Sequence, residues 1–219
     1  MGASGGFPID IILFGMIAAF LVLRLKGILG RRTGFERPAQ TMPRRDVPAT
    51  AREGAASAEP PVPRIVPDPA SVLGQTLIQM KAIDRTFEPS AFLEGAEKAF
   101  QMIVQAFAAG DRTTLRPLLG DDTWHAFNDA ITRRERDGHV QVTHVNGVHS
   151  SMIEGAELKG NLATITVRIT SDQVNMTRTE TGQIVTGTDA VTELHDVWTF
   201  ERNLTSPSPI WHLIAARSA

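Results

Sequence analysis

The chain has 219 residues and a formal net charge of −2, enough for one ordinary domain plus extensions. Hydrophobic residues make up 42% and charged residues 21%, which supports a packed core and excludes a basic binder of nucleic acid. With 0 cysteines and 0 tyrosines, disulfides, thiolate metal sites, cysteine nucleophiles and phenol-based acid or oxyanion chemistry are excluded.

The first element is apolar. Ile9 to Leu23 is almost free of polar groups, and Phe7, Pro8 and Leu25 extend it towards the roughly 20 residues of a spanning helix. Pro8 suits a first helical turn, where its missing N–H costs nothing. Asp10 falls in the same turn, where the helix dipole favours an anion. Cations come only afterwards, at Arg24, Lys26, Arg31 and Arg32. That order predicts an uncleaved anchor over 1–30, with the C-terminal side in the cytoplasm. A secretory signal needs the opposite charge order and a small-residue cleavage site. The same four cations are the expected contacts to lipid headgroups.

The composition then changes. Pro38, Pro43, Pro48, Pro60, Pro61, Pro63, Pro67 and Pro69 punctuate a stretch rich in Ala, Arg, Glu and Ser. No apolar period survives, so 31–70 is expected to be a disordered, partly polyproline-like tether. Its first half is basic, with Arg37, Arg44 and Arg45.

Helical signals begin at Ser71, with Leu73, Leu77, Ile78 and Met80 on a short amphipathic stretch ending near Asp84. The clearest helix is expected from Ser90, as its cap, to Ala109. Phe92, Ala96, Phe100, Ile103 and Phe107 form its stripe, and Gly110 is its left-handed stop. Asp111 is expected to cap a short helix through Leu119. Asp122 is expected to cap another through Arg136, with Trp124, Phe127 and Ile131 inward and Gly138 as the stop.

After Gly138 the period becomes 2. Val140–Val145 and Ser151–Leu158 read as two strands, the second bulged near Gly155. Leu162–Thr170 is a strong strand with Ala163, Ile165, Val167 and Ile169 on one face. A hairpin tip is expected near Thr181-Gly182, and Val191–Arg202 and Pro209–Ala216 close the sheet. Strands do not alternate with helices. The fold class is therefore α+β over 71–219, with about three helices on a curved antiparallel sheet forming a cone.

Candidate chemistry is sparse. No HExxH, P-loop, G-x-S-x-G or GxGxxG pattern occurs. His195 and Asp196 are neighbours on a strand and must face opposite ways, so they form no dyad. His139, His144 and His149 recur at an odd spacing that alternates faces and does not converge on a metal. Asp121-Asp122 reads as a helix cap. No catalytic residue, cofactor or metal is expected. A cone of this kind has room for an apolar pocket, and Phe100, Phe107, Trp124, Phe127, Trp198 and Trp211 are its candidate lining. The competing reading makes these residues plain core.

Several stretches resemble the Tim44-like domain family. They are Phe92-Leu-Glu-Gly-Ala-Glu-Lys-Ala-Phe100 and its continuation to Asp111, Leu115-x-Pro-Leu-Leu119 with the following Asp-Asp-Thr-Trp-x-x-Phe127, Glu157-Leu-Lys-Gly-Asn161, Asp196-Val-Trp-Thr-Phe200 and Trp211-x-Leu-Ile214. Gly5-Gly-Phe-Pro-Ile-Asp10 and Arg31-Arg-Thr-Gly-Phe35 are similar to the bacterial, membrane-anchored members. The resemblance implies a cone of the nuclear-transport-factor-two-like (cystatin-like) type with a large apolar pocket. It also implies binding to anionic inner-membrane lipid and to protein partners, a translocase or chaperone in the mitochondrial relatives. This chain departs from those relatives in carrying its own span and lacking their long charged N-terminal half. The expected function is that of a single-pass adaptor of the bacterial inner membrane, not an enzyme, with its domain in the cytoplasm. A small-molecule enzyme of the same cone and a periplasmic envelope scaffold are the alternatives.

Overall fold

The computed structural model describes residues 62–219. The anchor expected over 1–30, its headgroup cations and the tether up to residue 61 lie outside the described residues. Among the described residues no helix is long and apolar enough to cross a membrane.

Among the described residues four helices lie between a short first strand and the long strands of one sheet. Helix α1 (Val72–Ile83) is capped by Ser71, whose hydroxyl accepts from the Gly74 amide. Helix α2 (Pro89–Ala109) starts one residue earlier than its sequence suggests. Glu88 is the N-cap without a side-chain bond and Pro89 takes the first turn, so Ser90 is helical and caps nothing. Gly110 ends α2 at φ 72°, a left-handed conformation that favours glycine. Helix α3 (Arg112–Leu115) is a single turn, shorter than the expected run to Leu119. The Asp111 carboxylate accepts from the Thr113 and Thr114 amides. Helix α4 (Asp121–Arg136) starts from Gly120, so Asp121 and Asp122 occupy its first turn and Asp122 is not its cap. Both acids still meet the positive end of the helix dipole there. At the other end the Arg134 side chain reaches across to α2. Its Nη2 donates to the Phe107 and Ala108 carbonyls at 2.8 and 3.1 Å, satisfying the open end of α2.

The sheet runs β1 (Arg64–Ile65), β2 (His139–Lys159), β3 (Leu162–Thr179), β4 (Ile184–Asn203) and β5 (His212–Ser218), side by side in that order. Strands β2 to β5 pair antiparallel. Two expectations need correction. First, the two strands read from Val140–Val145 and Ser151–Leu158 are one continuous strand. Extra residues Asn146, His149 and Glu154 interrupt its register with β3 at three places. Each bulge resets the alternation, so the sequence pattern breaks although the strand does not. Second, the sheet is not wholly antiparallel and the tether does not run free to Pro69. Arg64 and Ile65 pair in parallel with Ser151 and Met152, and the Ser151 amide donates to the Pro63 carbonyl at 3.1 Å. A parallel neighbour needs a long crossover, and here all four helices supply it.

One side chain explains why this short strand docks. Arg64 Nε and Nη2 donate to the two carboxylate oxygens of Glu97 at 3.0 and 2.8 Å, and Ser151 Oγ donates to the same carboxylate. The Glu97 side chain, on the buried stripe of α2, is only 8% exposed. A charge held that deep needs a bidentate partner. The Glu97 carboxylate in turn raises the Arg64 guanidinium above its ordinary value.

The core lies between the helices and the inner face of the sheet. Leu93, Phe100 and Ile103 of α2 meet Ile165, Val167 and Ile169 of β3, with Phe200 and Leu213 beside them. The free edge of β5 is partly closed by the chain before α4. Gly120 N donates to Leu213 O at 2.9 Å and Leu213 N to Leu118 O at 2.8 Å. The edge of β4 from Ile184 to His195, beyond the reach of β5, meets no further strand among the described residues.

Candidate functional site

A cleft of about 340 Å³ opens between the first half of α2 and the loop joining β4 to β5. Its origin is a row of short side chains. Ala91, Gly95 and Ala99 stand at i, i+4 and i+8 on one side of α2 and line the cleft. They are too small to reach the opposite wall of Pro209, Ile210 and Trp211. A Cβ placed on Gly95 would meet nothing within 4 Å. Glycine in mid-helix costs about 1 kcal/mol against alanine, and here the space it leaves belongs to the cleft.

Phe87, Phe92 and Trp211 form an aromatic cluster along the cleft. The rings of Phe92 and Trp211 lie 4.8 Å apart at 64°, and Phe87 lies 5.9 Å from Trp211. These are edge-to-face and tilted contacts of the favourable kind. Phe200 reaches Phe92 from β4 at 6.0 Å and completes the floor.

Arg202 fixes the mouth. Its Nε donates to the Ser208 carbonyl at 3.0 Å, and its Nη1 stands 2.9 Å from Asp84 Oδ2. Both side chains are only 10% exposed. Asp84 Oδ1 accepts from the Thr86 amide and hydroxyl at 2.9 and 2.6 Å. Oδ2 accepts no hydrogen bond, so its contact with Arg202 is an ion pair alone. The Thr86 hydroxyl, helped by the Thr86 amide and Arg202, holds Asp84 below the usual carboxylate range. The clamp ties the turn after α1 to the end of β4 and to the loop, which are two walls of the cleft.

The six aromatic residues expected to line a pocket divide. Trp211 lines the cleft. Phe100 and Trp198 pack ring to ring at 4.9 Å in the closed core, 1% and 5% exposed. Phe107 and Phe127 pair at 4.9 Å at the other end of α2. Trp124 is partly buried against the core, with the Arg116 guanidinium 5.6 Å from its ring. Phe87, Phe92 and Phe200 line the cleft instead. Aromatic size alone did not distinguish the two sets, but the small-residue row on α2 is visible in the sequence.

The polar walls hold little chemistry. Thr86, Glu88 and Arg202 are the polar side chains at the cleft, and Thr86 and Arg202 are committed to Asp84. His195 and Asp196 face opposite ways as their spacing requires. His195 Nδ1 lies 3.1 Å from Thr170 Oγ1 on the outer face. Asp196 points inward, where burial pushes its carboxyl up to about 6 against a hydrogen bond from Gln173 at 3.2 Å. Gln173 and Ser171, bonded to each other at 3.0 Å, are its polar company, and neither is a base. His139, His144 and His149 form no common cluster among the described residues. His149 instead meets Asp172, Nε2 to Oδ2 at 3.0 Å.

Solved structures resemble the fold weakly, and three of them illustrate it. The intermembrane-space region of the chloroplast protein ARC6 is 10% identical, covers 57% of this chain and 95% of its own, and has a TM-score of 0.43. A conserved protein from Planctomyces limnophilus is 17% identical over 56% of this chain and 90% of its own, at 0.33. A protein of the NTF2-like family from Streptomyces avermitilis is 13% identical over 60% and 96%, at 0.35. No curated protein matches the chain. The family model described as Tim44-like domain matches residues 73–218, which covers the described helices from Leu73 onward and β2 to β5. The chain belongs to the Tim44-like domain family.

Proposed function

We propose that this chain is a membrane-tethered adaptor whose domain takes a fatty-acyl chain of an inner-membrane lipid into the α2 cleft and performs no reaction on it. The observation that carries the reading is the open apolar cleft behind Ala91, Gly95 and Ala99, walled by Phe92 and Trp211. Apolar contact there needs only shape and area, at roughly 25 cal/mol per Å² removed from water. The absence of a nucleophile–base pair from the cleft walls among the described residues supports binding over turnover. The run from Ile9 to Leu23 would hold the domain at the bilayer. Arg24, Lys26, Arg31 and Arg32 would meet anionic headgroups and keep the domain cytoplasmic. Family membership supports a protein partner as the adaptor's second contact.

Gly95→Leu tests the cleft. The side chain grows into open space, and leucine is the better helix former by about 0.7 kcal/mol. The full chain in lipid nanodiscs, carrying a lipid with a photoactivatable acyl chain, should crosslink at the cleft. Gly95→Leu should lose that crosslink while melting no lower than the parent. Crosslinking undiminished by the plug, or absent from the parent, overturns the reading.

A further inference from the structure

The outer face of the sheet carries a cluster that the cleft does not use. On β3 the buried residues Ser171 and Gln173 point inward, so Asp172 between them points out. Its register partner on β4 is Glu193. Two carboxylates directly opposite on neighbouring strands repel. On the other side stands His149, the extra residue of a bulge, with no register partner on β3. Bulges re-aim side chains, and this one brings His149 Nε2 to 3.0 Å from Asp172 Oδ2. One donor atom each from His149, Asp172 and Glu193 lie within 4.8 Å of one another. His195 follows on the same face of β4, with Nε2 3.5 Å from Glu193 Oε1. The Thr170 hydroxyl engages its other ring nitrogen at 3.1 Å.

We propose that His149, Asp172 and Glu193 bind a divalent transition cation of the Zn²⁺ class, three protein ligands that leave a fourth position to water, with His195 beside Glu193 outside the ligand set. The donor set is mixed nitrogen and oxygen, which suits Zn²⁺ or Co²⁺ and not the all-oxygen shell of Ca²⁺. Tetrahedral ligand bonds of about 2.0–2.1 Å place neighbouring donor atoms about 3.3 Å apart; His149 and Asp172 already stand at 3.0 Å, and a cation would draw in Glu193, whose donor atom lies within 4.8 Å of both. A dication at the centre turns the Asp172–Glu193 repulsion into shared coordination. It would also staple β2, β3 and β4 together beside the His149 bulge.

The test uses the untagged full chain in detergent, stripped with chelator and titrated with Co²⁺ or Zn²⁺ alone. One Co²⁺ per chain should bind with the visible absorption of a low-coordinate site, and Zn²⁺ should displace it. Glu193→Gln and Asp172→Asn should each weaken binding at least tenfold, whereas His125→Ala on α4 should not. Metal-free Glu193→Gln should melt no lower than the parent, because it relieves a like-charge pair. Zn²⁺ should then raise the melting temperature of the parent but not of the variant. No saturable binding, or equal loss in Glu193→Gln and His125→Ala, overturns the site.

Discussion

Removing the Arg64 guanidinium should unfasten the strand that precedes the helices. In Arg64→Ala the Glu97 carboxylate keeps its bond from Ser151 but loses two from arginine, at 3.0 and 2.8 Å. Breaking a fully buried ion pair costs about 3–5 kcal/mol, because the remaining charge is stranded. Glu97 is 8% exposed but Arg64 is 31% exposed, so water reaches the vacated side and the loss should be about 2–3 kcal/mol. Glu97→Gln leaves the Arg64 charge unpaired there, but Arg64 is 31% exposed and Glu94 stands 3.9 Å away, so the cost should be smaller, about 1–2 kcal/mol. The double variant Arg64→Met with Glu97→Gln should cost less than the sum, with a coupling of about 1–2 kcal/mol. Urea unfolding of the full chain, followed by tryptophan fluorescence, reads these values, since all three tryptophans lie in the folded part. Limited proteolysis adds a local readout. Cleavage between Pro63 and Pro69 should be faster in Arg64→Ala than in the parent, because β1 is released from β2. A loss below about 0.5 kcal/mol, or zero coupling in the cycle, would refute the claim that Arg64 holds β1 through a buried charge.

Asp196 should make stability fall with rising pH. Its folded value is pushed up to about 6 from 3.8, so the folded state binds the extra proton, and about 3 kcal/mol is lost as pH rises across that window. Asp196→Asn should flatten the profile between pH 4 and 6 and be the more stable protein above it; urea midpoints measured against pH decide this. Asp84 works in the opposite direction. Its lowered folded value contributes stability above the ordinary carboxylate range, which is lost as pH falls. Trp198→Ala should cost about 3–5 kcal/mol as a core deletion, while Trp211→Gln should cost less and weaken acyl crosslinking; equal melting losses would mean Trp211 is core. A C-terminal reporter active only in the periplasm should stay silent, and activity there would overturn the proposed topology.

The sequence exposes this fold where one residue type has one local reason to be there. The stripe Phe92–Ala96–Phe100–Ile103 appears as the buried face of α2, and Gly110 and Asp111 stop and restart the chain as their chemistry requires. The sequence is silent where meaning depends on distant partners. Arg64 sits among prolines, and nothing local shows that its partner is Glu97, 33 positions on. His149 and Asn146 break the alternation of β2, so one strand read as two. Large residues draw attention as a pocket lining, whereas the space comes from small ones at Ala91, Gly95 and Ala99. The Asp172–Glu193 pairing is a matter of register, which a single strand's sequence does not state.

The uncovered stretch of β4 bears on how the protein behaves when concentrated. A long open strand edge is a template for another chain's backbone, and this one shows Ile184, Val185 and Val191 half-exposed. It is not a straight template. Gly187 sits at φ 85° and so close to β3 that a Cβ there would stand 2.2 Å from the Asn175 carbonyl oxygen. The register with β3 shifts on either side, between Gln173 and Asn175 and again between Thr177 and Arg178. Asp189 and Glu193 add charge along the same stretch. An incoming strand could follow only a few residues before the kink turned its hydrogen bonds away. Protection from fibrous self-association therefore rests on the kink around Gly187 together with the charges beside it, and a sequence that straightened and neutralised the arm would exchange a contorted hairpin for a sticky one.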